Sequence, residues 1–147
     1  MNTYTKPIRI LLVDDHKSFS DGLAMLINTN KSVMEVVGMA NNTKEAIAAA
    51  AQTKPDIILL DVDLGDENGI EFLPELNNKT DAKVIILTGA QNPTLHENAI
   101  MQGARGVLLK SDPAKVILTA IERVYNGEMW LNNATLNKVL SQLTQLT

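Results

Sequence analysis

DIILLDVDLGDENGIE, residues 56–71, holds four consecutive apolar residues, Ile57 to Leu60, closed abruptly by Asp61. A strand with one wet face alternates apolar and polar residues, whereas an unbroken apolar run suits a parallel strand covered on both faces. Asn68 then offers a helix cap, with Glu71 three residues on in the manner of a capping box. A helix is therefore expected from Gly69, with Pro74 placed to bend or shorten it. The segment reads as buried strand, acidic loop, helix.

The same reading extends in both directions. Ile8–Val13, Lys83–Leu87 and Gly106–Leu109 are continuous apolar runs like Asp56–Leu60, while Val33–Met39 is more broken and suits a sheet edge. Helical patterns fill the gaps. Phe19, Leu23, Leu26 and Ile27 share one helix face, and Thr43 to Gln52 is Ala-rich and helix-favouring. Asn92-Pro93 and Asp112-Pro113 each pair a capping residue with proline at the first helical position. Ile117, Ala120, Ile121 and Val124 form the stripe of the next helix, which Gly127 can end. Five strands and five helices in alternation predict a doubly wound α/β domain over residues 6–127. Its sheet would be parallel, in the flavodoxin-like order 2-1-3-4-5, with helices on both faces.

Residues 128–147 read differently. Gly127 to Ala134 looks like a connector, in which the lone Trp130 anchors the tail against the domain. Thr135 to Leu146 is a short amphipathic helix with Leu136, Val139, Leu140, Leu143 and Leu146 at helical spacing. That stripe either packs back on the domain or pairs with a second chain as a short coiled coil.

Composition narrows the function. The chain has 147 residues, 45% of them apolar, enough to build a full core. A net charge of −4 gives no basic footprint for nucleic acid, so this segment is not expected to bind DNA directly. The absence of cysteine excludes disulfides and thiol chemistry and fits a reducing compartment. No apolar run approaches the ~20 residues of a membrane span, and the polar N-terminus lacks a signal-peptide core. A soluble, cytoplasmic protein is expected.

In an open parallel sheet, ligands bind beyond the carboxyl ends of the strands. Asp14 and Asp15 follow the first strand, Asp61 and Asp63 the third, Thr88 the fourth and Lys110 the fifth. Crowded carboxylates repel unless a cation intervenes, and magnesium favours a few carboxylates together with waters and phosphate oxygens. With metal present, Asp61 stays ionised and can attack phosphorus to give an aspartyl phosphate. Lys110 supplies a compact positive charge and Thr88 a hydroxyl for the phosphoryl oxygens. Each residue alone has a plainer reading: the acids as turn formers, Thr88 as an ordinary strand end, Lys110 as a surface lysine. Their convergence at one end of a sheet is what points to phosphoryl chemistry. His16 is expected to cap or line the first loop, and His96 to lie on a solvated helix face.

At LLVDDH (Leu11–His16), DIILLDVDLGDENGIE (Asp56–Glu71), VIILTGA (Val84–Ala90) and GARGVLLK (Gly103–Lys110), the sequence resembles the receiver domain of two-component response regulators. The resemblance covers Ile8 to about Tyr125. It implies Asp61 as phosphoacceptor and Asp14, Asp15, Asp61 and the backbone carbonyl of Asp63 as the Mg2+ site. Thr88 and Lys110 would bind the phosphoryl group. It implies a sensor histidine kinase as donor and no enzymatic role beyond the domain's handling of its own aspartyl phosphate. The chain departs from the family at Val107, where an aromatic switch residue is usual, and at Gly65, where proline is common. DDH and GEMWLN resemble the subfamily with a C-terminal LuxR-type helix-turn-helix. That suggests a receiver and linker helix from a longer transcription regulator, able to dimerise through the C-terminal helix or the outer face. Asp61-Val62-Asp63, Thr88 and Lys110 also resemble the order in haloacid-dehalogenase-type phosphatases, although the metal-binding acidic pair of that family follows its lysine. A degenerate receiver acting by protein contact alone is the other alternative.

Overall fold

The structure, a computed structural model, describes residues 6–145. Its strands are β1 (Ile8–Val13), β2 (Met34–Ala40), β3 (Ile57–Asp61), β4 (Lys83–Thr88) and β5 (Gly106–Leu109). They form one parallel sheet of order β2-β1-β3-β4-β5. The helices are α1 (Lys17–Ile27), α2 (Thr43–Thr53), α3 (Gly69–Lys79), α4 (Pro93–Met101), α5 (Ala114–Tyr125) and α6 (Asn133–Gln145). The predicted architecture holds, and β2 is indeed an edge strand. Its pattern looks broken because the β1–β2 register slips between Ile10 and Leu11, whose partners are Val36 and Gly38. Val37 is the extra residue of a bulge, and the inside–outside alternation changes phase there.

The unbroken apolar runs are explained by two cores. Leu11, Val13, Ile58, Leu60, Val84 and Ile86 face one way and pack with Ala46, Leu73 and Ala99 of α2, α3 and α4. Ile10, Leu12, Ile57, Leu59, Ile85 and Leu87 face the other way and meet Leu23 and Ile27 of α1 and Ile117, Ala120 and Ile121 of α5. Successive strand residues point to opposite faces, so only a strand buried twice over needs apolar residues at every position. Each fully buried Leu or Ile contributes about 1.5–3 kcal/mol relative to exposure. The strands are therefore fixed firmly enough to hold charged groups at their ends.

The caps hold with one exception. Asn68 accepts from the Ile70 amide at 2.8 Å and starts α3 at Gly69. Asn92 accepts from the Thr94 and Leu95 amides, with Pro93 as the first residue of α4. Pro74 lies within α3 without shortening it. Gly127, at φ 97°, follows the end of α5 and donates to the Val124 carbonyl at 3.0 Å. Asp112 does not cap α5. Its carboxylate turns back to accept from the Leu109 amide at 2.8 Å, and Pro113 takes the cap position without a side-chain bond.

The tail packs back on the domain, one of the two expected arrangements, but not by its leucines. α6 lies on α4 with Thr135 buried, Val139 of the expected stripe half-buried, and Gln142 reaching Glu97 at 3.5 Å. Leu136, Leu140 and Leu143 remain 41–50% exposed. Leu146 falls outside the described residues. Trp130 anchors the connector as expected: its amide donates to the Arg105 carbonyl at 3.1 Å, and its carbonyl accepts from Val107 at 2.8 Å. Among the described residues, no helix is long and apolar enough to cross a membrane.

Candidate functional site

Parallel strands end together, and here they bring the predicted residues to one place. Asp61 closes β3 and is fully buried. Lys110, just past β5, donates from Nζ to Asp61 Oδ2 at 2.7 Å and lies 3.9 Å from Asp14 Oδ2. Its ammonium also sits 5.1 Å from the centre of the Phe19 ring, a cation–π contact that keeps the flexible side chain inward. The other acceptor oxygen, Asp61 Oδ1, receives the Asp63 amide at 3.1 Å. Asp63 thus contributes its backbone, while its carboxylate is exposed.

Behind Asp61 the chain is packed as tightly as glycine permits. A Cβ on Gly69 would collide with the Asp61 carbonyl, and the Gly69 amide donates to Val62 O at 2.8 Å. The intervening loop is a small antiparallel ribbon, Asp63–Leu64 against Glu67–Asn68. Gly65 turns it at φ 65°. Proline, locked near −65°, cannot adopt that angle, which accounts physically for the departure from the family pattern. Glu67 ties the ribbon to α2. It accepts from the Thr43 hydroxyl and amide, and these bonds, the hydroxyl first, hold its carboxyl below the ordinary value.

Asp14 is also buried. Its Oδ1 accepts from the His16 amide at 2.7 Å, while Oδ2, shielded from solvent, makes no hydrogen bond. Burial pushes the Asp14 carboxyl upward, with Asp61 adding to the effect and the His16 amide and Lys110 opposing it. His16 is not the side-chain cap of α1. Its Nδ1 lies 3.2 Å from oxygens of Asp14 and Asp15 and 3.4 Å from Asp61 Oδ2. The charge of Lys110 lowers its pKa, but the bonds to Asp14 and Asp61 and the charge of Asp15 outweigh that and hold it above the ordinary value.

Asp14, Asp15, His16 and Asp61 each offer one ligand atom, all within 4.8 Å of one another. Three carboxylates, one carrying a buried oxygen that lacks a hydrogen-bond donor, suit a hard divalent cation. Thr88, at the end of β4, is buried and its hydroxyl accepts from the Ala90 amide at 3.1 Å. Its carbonyl accepts the Lys110 amide at 2.8 Å, which ties the two strand ends together. Val107 lies in β5, nearly buried, beside the connector.

His96 departs from the expected solvated face. It is 2% exposed, with Nε2 2.8 Å from the Ala90 carbonyl and Nδ1 3.4 Å from the Thr135 hydroxyl. A signal for this exists in the sequence: His96 stands three residues before Ala99 and four before Ile100, hence on their face of α4.

The parallel five-stranded sheet thus brings an acidic cleft and a lysine together at its carboxyl edge. The family model for the response regulator receiver domain matches residues 10–122, and the chain belongs to that family. Its relatives include transcriptional regulatory protein LiaR of Bacillus subtilis (strain 168), 34% identical over 92% of this chain and 64% of that protein. Nitrate/nitrite response regulator protein NarL of Escherichia coli (strain K12) is 35% identical over 88% of this chain and 60% of its own length. The chain thus spans less than two thirds of either relative. A LuxR-family two-component response regulator from Aurantimonas sp. SI85-9A1 superposes with a TM-score of 0.82, at 27% identity over 95% of this chain and 99% of that one.

Proposed function

We propose that this chain is a phosphorylation-controlled receiver in which Asp61 takes a phosphoryl group from a sensor histidine kinase, with Mg2+ bound, and thereby controls transcription through an attached or partner output domain. The observation that carries this reading is the pairing of buried Asp61 with Lys110 at 2.7 Å beside the unbonded, buried oxygen of Asp14. Asp14, Asp15, Asp61 and the Asp63 carbonyl would hold the metal. When bound, Mg2+ neutralises the converging carboxylates and phosphoryl oxygens. A bond forms between an Asp61 oxygen and phosphorus as the bond from phosphorus to the donor's imidazole nitrogen breaks. The electron pair stays with that nitrogen, which takes a proton from solvent. Lys110, whose tether is long enough to follow the new charge, moves from the carboxylate to a phosphoryl oxygen. Thr88 turns its hydroxyl to donate to another. Positioning and charge neutralisation account for most of the rate of such transfers. Water later attacks phosphorus and returns Asp61 and inorganic phosphate.

Membership of the receiver family supports reading the aspartyl phosphate as a signal, in preference to the catalytic intermediate of a haloacid-dehalogenase-type phosphatase. The test is incubation with acetyl phosphate and magnesium, followed by intact mass. One added phosphoryl group is expected, and none with Asp61→Asn or excess chelator. Failure to form an adduct or to bind beryllofluoride would sink the proposal in favour of a receiver that acts by contact alone.

A further inference from the structure

We propose that His96 relays the state of the site to the C-terminal helix, so that α6 is held on α4 while Asp61 is free and is released when it is phosphorylated. The inference rests on the receiver reading above and adds the route by which that site is read out. The family's aromatic switch position holds Val107 here, so any link from Thr88 to the outer surface runs through a different group. A continuous hydrogen-bonded path supplies that link. The Ala90 amide donates to Thr88 Oγ1 at 3.1 Å, and the carbonyl of the same residue lies 2.8 Å from His96 Nε2. A carbonyl only accepts, so Nε2 carries the proton. The other ring nitrogen, Nδ1, lies 3.4 Å from the Thr135 hydroxyl.

Burial makes this path consequential. His96 and Thr135 are 2% and 0% exposed, so their contact is made away from bulk solvent. When the Thr88 hydroxyl turns to a phosphoryl oxygen, the Ala90 amide is drawn along or loses its acceptor. The carbonyl that holds His96 belongs to that same residue. An imidazole N–H left unpaired in the interior is costly, so the ring turns, and its contact with Thr135 goes with it. Space for this exists: a cavity of about 260 Å³ beside His96 is lined by Val107, Val116, Trp130 and Leu131. The helix itself is lightly held. Thr135 is its one buried residue among those described, and its leucines face outward.

Three readouts on the 147-residue chain test the relay. Fluorine NMR follows bound beryllofluoride, hydrogen exchange follows residues 133–145, and the fluorescence of Trp130 follows the cavity. With magnesium and beryllofluoride, α6 amides should exchange at least about five-fold faster, the lower end of ordinary allosteric coupling. Thr135→Val keeps the shape and removes the hydroxyl. It should speed α6 exchange about five-fold without any ligand, the effect of one neutral hydrogen bond. Coupling is reciprocal, so the same variant should bind beryllofluoride tighter by that factor. His96→Leu should bind beryllofluoride with no further response in α6. If beryllofluoride binds but α6 exchange is unchanged in the wild type, the relay is wrong while the receiver reading stands. If Thr135→Val loosens α6 without altering beryllofluoride affinity, His96 and Thr135 are merely structural and the relay is again wrong. If nothing binds, the receiver reading falls and takes the relay with it.

Discussion

Replacing Asp14 with asparagine removes one negative charge from a cluster of three carboxylates, two of which face Lys110, and does so without changing side-chain size. Asp14 Oδ2 is buried and unbonded, 3.9 Å from Lys110 Nζ. An unsatisfied buried acceptor costs about 1–3 kcal/mol. The amide side chain would keep the oxygen that accepts from His16 and present a donor towards Asp61 instead of a second charge. Asp14→Asn should therefore raise metal-free stability by about 1–2 kcal/mol, or roughly 3–8 °C in Tm for a chain of this size. Magnesium should reverse the ranking. A cation at ten times its Kd stabilises the wild type by about 1.4 kcal/mol, and the variant, lacking a ligand, should gain almost none of this. Urea titrations in chelator and in magnesium measure both differences. A variant less stable than wild type in chelator, or equally stabilised by magnesium, would refute the assignment of Asp14 as a strained metal ligand.

The same strain should respond to acid. Burial, with Asp61 alongside, lifts the Asp14 pKa above its ordinary 3.8. The folded state then protonates before the unfolded one, so the cost of ionised Asp14 is full above the raised value and fades below it. In chelator, the stability gap between Asp14→Asn and wild type should narrow as pH falls through that window towards 3.8, as read by denaturation at a series of pH values. Gly69→Ala, which drives a methyl into the Asp61 carbonyl, should cost about 1–3 kcal/mol as overpacking does and also slow adduct formation with acetyl phosphate. Leu59→Ala, in a fully buried position, should lose about 2–5 kcal/mol in urea unfolding while still accepting phosphate wherever it remains folded.

The sheet was legible because a doubly buried strand has no polar position to obscure it; β1 and β5 run between the residues expected. The acidic cluster was legible because strand ends converge whatever the loops do. What escaped depended on tertiary partners. Asp112 beside Pro113 has the composition of a cap, yet its carboxylate is taken by the Leu109 amide. His96 is polar, and only the spacing to Ala99 and Ile100 betrays its burial. The tail has a leucine stripe, but the surface of α4 offers His96 and Glu97, so Thr135 faces inward, Val139 is half-buried, Gln142 reaches Glu97 at the exposed edge, and Leu136, Leu140 and Leu143 stay outward. Phe19 reads as core, and its ring also guides Lys110.

Trp130 forms a single parallel bridge with Gly106, on the free side of β5. That one bridge occupies the Arg105 carbonyl and the Val107 amide, groups that would otherwise stand open along an outer strand. Unpaired outer strands recruit strands from other molecules. A fragment cut at Gly127, where the helical pattern ends, would therefore keep every strand and still be prone to self-association, whereas one that extends beyond Trp130 would keep its margin sealed.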